Sequence, residues 1–284
     1  MNVEQVLFWC AVGLYGVSAS AYVFGFIAEN EKLLLGGLAA AALGFAAHLV
    51  SIGARWAAST TNPFISISES LALGTFMSMA IFLLVQATSR KVRPLGVFVL
   101  PVVFILLGWA GTLRVASDSQ LAPALQSPWL WVHIVGASIG FSAVLIAAGL
   151  GLMFLLKDGR SGRIYDRLPS TTDLDRLGYR FVAGGFLMYG LMIVSGALWA
   201  DQAKGSYWNW DPVEVWSLVS WLIYGIYLHL RITMGWRGRR LAWYALVAVF
   251  VMIVTYWGIP FSAETFHKGF RVEHEWQPPV DGIR

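Results

Sequence analysis

Cysteine is almost missing from this chain: Cys10 is the only one in 284 residues, and it lies inside an apolar run. One thiol makes no internal disulfide and no C-x-x-C redox pair, so any thiol chemistry must come from a substrate or partner. Charge is scarce too. Asp, Glu, Lys and Arg account for 13% of the residues against 57% hydrophobic ones, which excludes an ordinary soluble domain. There is no nucleophile constellation, no phosphate-binding loop, no internal repeat and no low-complexity tract. The N-terminus has no basic region followed by a cleavage site, so the first apolar run is expected to be a retained span. The net charge of +4 requires no nucleic-acid partner, because loop placement accounts for the cations.

What the chain has in abundance is apolar runs long enough to cross a lipid bilayer. Eight are expected, at about 5–28, 33–54, 70–89, 94–113, 128–156, 181–200, 215–234 and 241–260. The fold class is therefore all-α: a polytopic membrane helix bundle forming a single integral membrane domain over 1–284. Many of the 29 glycines fall inside the spans, where small residues let helices approach closely. Eight spans put both termini on one side. Of the 20 Lys and Arg residues, six (Arg55, Arg114, Lys204, Lys268, Arg271 and Arg284) fall on that side and the other fourteen on the opposite one. The positive-inside rule assigns the fourteen to the cytoplasm and turns both termini outward. The long basic loop 157–180 is then cytoplasmic and reads as a solvated connection.

Between the sixth and seventh spans, on the outward side, lies WADQAKGSYWNWDPVEVW, residues 199–216. Indole rings gather at membrane interfaces in general, which accounts for two or three of these tryptophans. It does not account for carboxylates interleaved among the rings. Trp208, Trp210, Asp211, Glu214 and Trp216 are the candidate binding residues of this external segment, 201–216. Asp211 and Glu214 have a second reading, as caps at the start of span seven.

Five histidines in so apolar a chain point to metal or heme ligation, although a single buried histidine is as readily a hydrogen-bonded core residue. His48 and His229 lie within spans, where an ionisable group is costly. With helical rise, both come roughly 16 Å below the outer helix ends if span two runs on to Ser59 and span seven starts near Leu218. His133 falls about one turn into span five, after a proline suited to a first helical turn. His267 lies in the C-terminal tail, and His274, between Glu273 and Glu275, reads as solvent-exposed. Two sets of two suit two bis-imidazole sites, one in the membrane (His48, His229) and one outside it (His133, His267).

The segment GSYWNWDPVEVWSLVSWLIYGIYLHLR resembles the tryptophan-rich WWD signature of cytochrome c biogenesis membrane proteins, and within them the CcsA/ResC branch. Three shorter stretches extend the likeness: RW…NP…ESL after span two, a histidine after S-P-W-L, and His267 in T-F-H-K-G, where the family has G-L-H-S-Y. Lys204 and Val213 depart from the pattern, which often has Trp and Lys there. The resemblance implies the heme-handling subunit of a system II cytochrome c synthase, in a bacterial cytoplasmic or thylakoid membrane. With a ResB/CcsB-type partner it would bring heme b to the outer face. There the thiols of an apocytochrome c C-x-x-C-H motif become thioethers on the heme vinyl groups. His48, His229, His133 and His267 would be axial iron ligands, the tryptophans would stack on the porphyrin, and Arg55, Arg114 or Lys204 would hold its propionates. Two other functions stay open: a CcmC-like transporter that hands heme to a chaperone without ligation, and a diheme b-type electron-transfer subunit.

Overall fold

The computed structural model describes residues 3–58, 66–113 and 127–265. Among them the chain is helical, and eight helical stretches are long and apolar enough to cross a membrane. The first four are α1 (Val3–Ile27), α2 (Glu31–Ala58), α3 (Ile67–Thr88) and α4 (Gly96–Thr112), the last entered through a 3-10 turn at Arg90–Leu95. Then come α5 (Pro128–Lys157), the short α6 (Arg163–Asp166), α7 (Thr171–Lys204), α8 (Pro212–Ile232) and α9 (Arg239–Ile253). A π-helical turn (Val254–Gly258) and α10 (Ile259–Ser262) follow without a break.

Each apolar run became a helix, but the ends differ where polar chemistry continues a helix that hydropathy had ended. The largest shift is in α7, which starts ten residues before the expected 181. Ser170 caps it by accepting the Asp173 amide at 3.1 Å. Its first turns bury Leu174 and Gly178 and leave Arg176 and Arg180 outward, so most of the second half of the basic loop is helix. The rest of that loop is largely exposed, as expected of a solvated connection, and two of its arginines tie it to the end of α1 and the turn after it. Arg163 pairs with Glu29 at 2.6 Å, on the turn between α1 and α2, and Arg167 donates at 3.1 Å to the carbonyl of Phe26 in the last turn of α1.

α5 is the hub. It packs against α3 and α4 on one side and against α7 and α9 on the other. Its contact with α7 is backbone-close because both helices present glycine. A Cβ on Gly136 would lie 3.2 Å from the Met188 carbonyl, and one on Gly185 only 3.3 Å from the Gly140 carbonyl. In lipid, where apolar burial alone does not bring helices together, such close approach supplies the attraction. α1 and α2 form a hairpin whose tyrosines fill the space its glycines leave: Tyr15 over Gly44 and Tyr22 over Gly37. At the opposite end from the Trp-rich loop, Asp175 of α7 joins α8 and α9. It pairs with the buried Arg231 at 2.6 Å and accepts the Gly238 amide at 2.8 Å.

Candidate functional site

The Trp-rich segment is a short loop, 205–211, held at both ends by helix-terminus chemistry. α7 stops at Gly205, whose φ of +73° is the left-handed C-terminal turn that glycine takes without strain. α8 starts at Pro212, preceded by Asp211 as cap. Asp211 Oδ1 accepts the Val213 amide at 2.9 Å, and Glu214 Oε2 accepts the amides of Asn209 at 2.9 Å and Asp211 at 3.3 Å. This is a capping box, in which residue and cap satisfy each other's amides. The two acids of the motif thus hold the loop, and of the two readings open at the sequence level their contacts match the cap. Asp211 is buried, and the Thr265 hydroxyl lies 2.7 Å from each of its oxygens.

The loop presents its rings in different directions. Trp208 turns down and lines a pocket of about 190 Å³. Trp210 stands edge-on to it, ring centroids 6.0 Å apart, and is 77% exposed. Its φ of +58° is left-handed, a conformation rare for a bulky residue that clusters at functional positions. Trp216 is exposed on the flank of α8 and does not line the pocket.

The pocket brings together His133 and Phe141 of α5, Lys204 of α7, Trp208, Glu214 of α8 and Trp257 of the π-helical turn. His133 is half-buried, and its Nδ1 lies 2.9 Å from the Met192 carbonyl. A carbonyl only accepts, so Nδ1 carries the proton and, in the neutral ring, the lone pair sits on Nε2. That is the form an imidazole takes when it binds a metal through Nε2. The Lys204 ammonium lies 5.6 Å over the Trp199 ring, within the field of Glu214 and Asp211. An apolar, indole-walled recess holding an imidazole, the Lys204 cation and the Glu214 carboxylate, the last committed to two backbone amides, can take a flat aromatic ligand with a metal at its centre and an anionic edge at Lys204.

The other expected ligands are distributed differently. His48 is completely buried beside α1, its Nδ1 3.5 Å from the Tyr15 hydroxyl. The rings of Phe8, Tyr15 and Phe76 stand edge-on around it at 6.4, 6.1 and 5.6 Å. His229 is exposed on α8, at the end of a stripe formed with Trp216, Val219, Leu222 and Ile226. α8 packs on α7, α9, the π-helical turn and α10, and α2 on α1 and α3. The fold therefore does not bring His48 and His229 together: one is enclosed by aromatic rings, the other faces away from the bundle. His267 and Arg114 lie outside the described residues. Arg55 is engaged by Glu69, Nε to Oε1 at 2.6 Å, and among the described residues Lys204 is the basic side chain that lines the pocket.

Sequence reading missed the π-helical turn, which supplies Thr255, Tyr256 and Trp257 to the pocket wall. A signal was present. Pro260 has no amide to give the Tyr256 carbonyl, and the Ile259 amide bonds Val254 five residues back. Gly258 and Pro260 inside an apolar run mark such a break.

Comparison with known proteins identifies the family. The family model described as cytochrome c assembly protein matches residues 64–267. The chain is 31% identical over 245 residues to the cytochrome c biogenesis protein CcsA of Guillardia theta, covering 77% of this chain and 80% of that one. It is 32% identical over 246 residues to CcsA of Prochlorococcus marinus, covering 75% and 77%. Against CcsA of Chlamydomonas reinhardtii it is 34% identical over 224 residues, covering 75% and 62%. A solved structure, cytochrome c heme lyase CcmF, superposes with a TM-score of 0.66 at 18% identity, over 90% of this chain and 47% of that one, which is a likeness of fold. With the family model spanning α3 to the tail, and relatives above 30% identity along most of their length, the chain belongs to the CcsA group of the cytochrome c assembly protein family.

Proposed function

We propose that this protein works in cytochrome c biogenesis as the heme-handling subunit of a system II cytochrome c synthase, with heme b as its substrate. The observation that carries the reading is His133. Its Nδ1–H is tied to the Met192 carbonyl, and the ring stands in the same pocket as Trp208 and Lys204. The porphyrin stacks on indole, Nε2 of His133 takes one axial position on the iron, and the Lys204 ammonium meets a propionate. His267 is the proposed second axial ligand. The exposed Trp210 extends the ledge towards the arriving polypeptide.

Each apocytochrome thiol adds across a heme vinyl group: sulfur bonds the carbon next to the ring, and the thiol hydrogen goes to the terminal carbon. The histidine of the C-x-x-C-H motif replaces one protein imidazole on the iron. The chain contributes position, holding the vinyl edge and the iron in place while the thiols react. The charge count supports a reading with this face outside the cytoplasmic membrane or in the thylakoid lumen.

His229 faces away from this chain's own helices, which supports a shared in-membrane site rather than one closed by His48. A polar ring on a lipid-facing helix is costly unless something covers it. We infer that the ResB/CcsB-type partner covers the stripe from Trp216 to His229 and supplies the opposing ligand.

The test is coexpression of the full chain with a ResB/CcsB-type protein and an apocytochrome c in a host lacking its own maturation system. Covalently attached heme is expected with the wild type and none with His133→Ala. Free heme accumulating without thioether product in the wild type would identify a transporter instead. Stoichiometric heme that never exchanges would identify an electron-transfer subunit.

A further inference from the structure

The imidazole of His133 meets α7 at a point where only glycine admits it. Gly196 stands one helical turn after Met192, so a side chain there would lie beside the Met192 carbonyl and screen it from the ring. A Cβ built on Gly196 would sit 2.6 Å from His133 Nδ1 and 3.0 Å from its Cε1. Both are far inside the roughly 3.5–4.0 Å at which carbon makes favourable contact. The ring would have to swing away, and the 2.9 Å bond to the Met192 carbonyl would be lost. Parting the helices to relieve the crowding would give up the close approach at Gly136, one turn further along α5, where a Cβ would lie 3.2 Å from the Met188 carbonyl.

We propose that Gly196 is the positioning residue of the heme site. By putting no side chain between the ring and the Met192 carbonyl, which also accepts the Ser195 hydroxyl at 3.1 Å, it holds His133 with Nδ1 protonated and Nε2 directed at the iron. The proposal rests on the reading of His133 as an iron ligand. The physical consequence is twofold. The Nδ1–H···O=C bond selects the tautomer, so the ring meets the iron without first losing or moving a proton. It also makes Nε2 more basic, because electron density withdrawn from the N–H is returned to the ring. A residue that touches neither porphyrin nor iron thereby sets the strength of an axial bond.

The experiment uses the full chain coexpressed with its ResB/CcsB-type partner, purified with heme b and compared as wild type, Gly196→Ala, Gly184→Ala and His133→Ala. Gly184 lies on the same helix, and a Cβ there meets nothing within 4 Å, so it controls for the change in helix propensity. Heme affinity at the pocket, read from the low-spin spectrum, is expected to fall about 10–100-fold in Gly196→Ala and to stay at the wild-type level in Gly184→Ala. Free imidazole should restore the low-spin spectrum of Gly196→Ala by taking the vacated axial position, a recovery that a general packing defect would not allow. Wild-type affinity in Gly196→Ala together with loss in His133→Ala would overturn the positioning role and leave the ligand standing. Full retention in His133→Ala would overturn the ligand reading itself. Equal losses in both glycine variants would also overturn the proposal. Should Gly196→Ala fail to accumulate, a density map of the heme-loaded wild-type complex decides: iron on Nε2 with Nδ1 against Met192 supports it, iron on Nδ1 ends it.

Discussion

Thr265 Oγ1 lies 2.7 Å from each carboxylate oxygen of Asp211, so the chain just after α10 closes onto the residue that caps α8. A hydroxyl bonded to a buried carboxylate contributes about 1.5–3 kcal/mol. Thr265→Val keeps the shape and removes that bond. Amide exchange at Asn209 and Val213 is expected to speed up while the spanning helices exchange as before. Unchanged protection at both amides would mean that the tail does not brace the loop.

Glu214 separates charge from capping. Its Oε2 serves two amides, Asn209 and Asp211. Glutamine keeps an acceptor oxygen at that position and alanine keeps none, with a capping loss of about 1 kcal/mol expected for the latter. Heme retention at the pocket should therefore run wild type, Glu214→Gln, Glu214→Ala in descending order. If glutamine is as damaging as alanine, the negative charge rather than the cap is what matters.

Trp210 is held in a left-handed backbone conformation with its ring exposed. Such a conformation costs a non-glycine residue about 1–2 kcal/mol, so Trp210→Gly should make the loop more stable while lowering the yield of matured cytochrome. Trp208→Ala removes a ring from the pocket wall and should weaken heme binding by about 1–3 kcal/mol, the usual loss when a stacked aromatic is deleted. Full cytochrome yield from Trp210→Gly would remove that ring from the reaction.

The two in-span histidines are expected to behave differently. His48 is enclosed by three rings, so His48→Phe should fold and keep its heme. His229→Ala should lose in-membrane heme in the partner complex, with partial recovery on adding imidazole. Heme spectra of the two purified variants decide the matter, and loss in both would restore the pair that depth along the helices implied.

Arg231 and Asp175 form a buried pair, and Arg239 and Asp158 a largely exposed one at 3.4 Å. Removing one partner of a buried pair strands a charge and costs about 3–5 kcal/mol. An exposed pair is screened by water and contributes under about 1 kcal/mol. Asp175→Asn should sharply lower accumulation in the membrane, and Asp158→Asn should not. Immunoblots of membrane fractions distinguish them.

Composition and run length alone were enough for the helical membrane architecture and its eight spans, because a bilayer accepts few backbone arrangements and demands long uncharged segments. Of the candidates in and just after the W-N-W-D-P-x-E string, Trp208 and Glu214 line the pocket together with the histidine after S-P-W-L, while Trp210, Asp211 and Trp216 do not. Helix ends were less legible. The start of α7 depends on Ser170 capping Asp173, a polar event that hydropathy does not register.

What the chain by itself determined was therefore which residues are unusual for their surroundings, and about how deep along each helix they lie. Only the tertiary structure decided which of them face one another. Depth matched His48 with His229, but rotation about each helix axis and the order of helices around α5 turned one into an aromatic cage and the other outward. Those angles are set by side-chain packing between segments far apart in sequence, such as the approach of Gly196 to His133, and no local pattern encodes them.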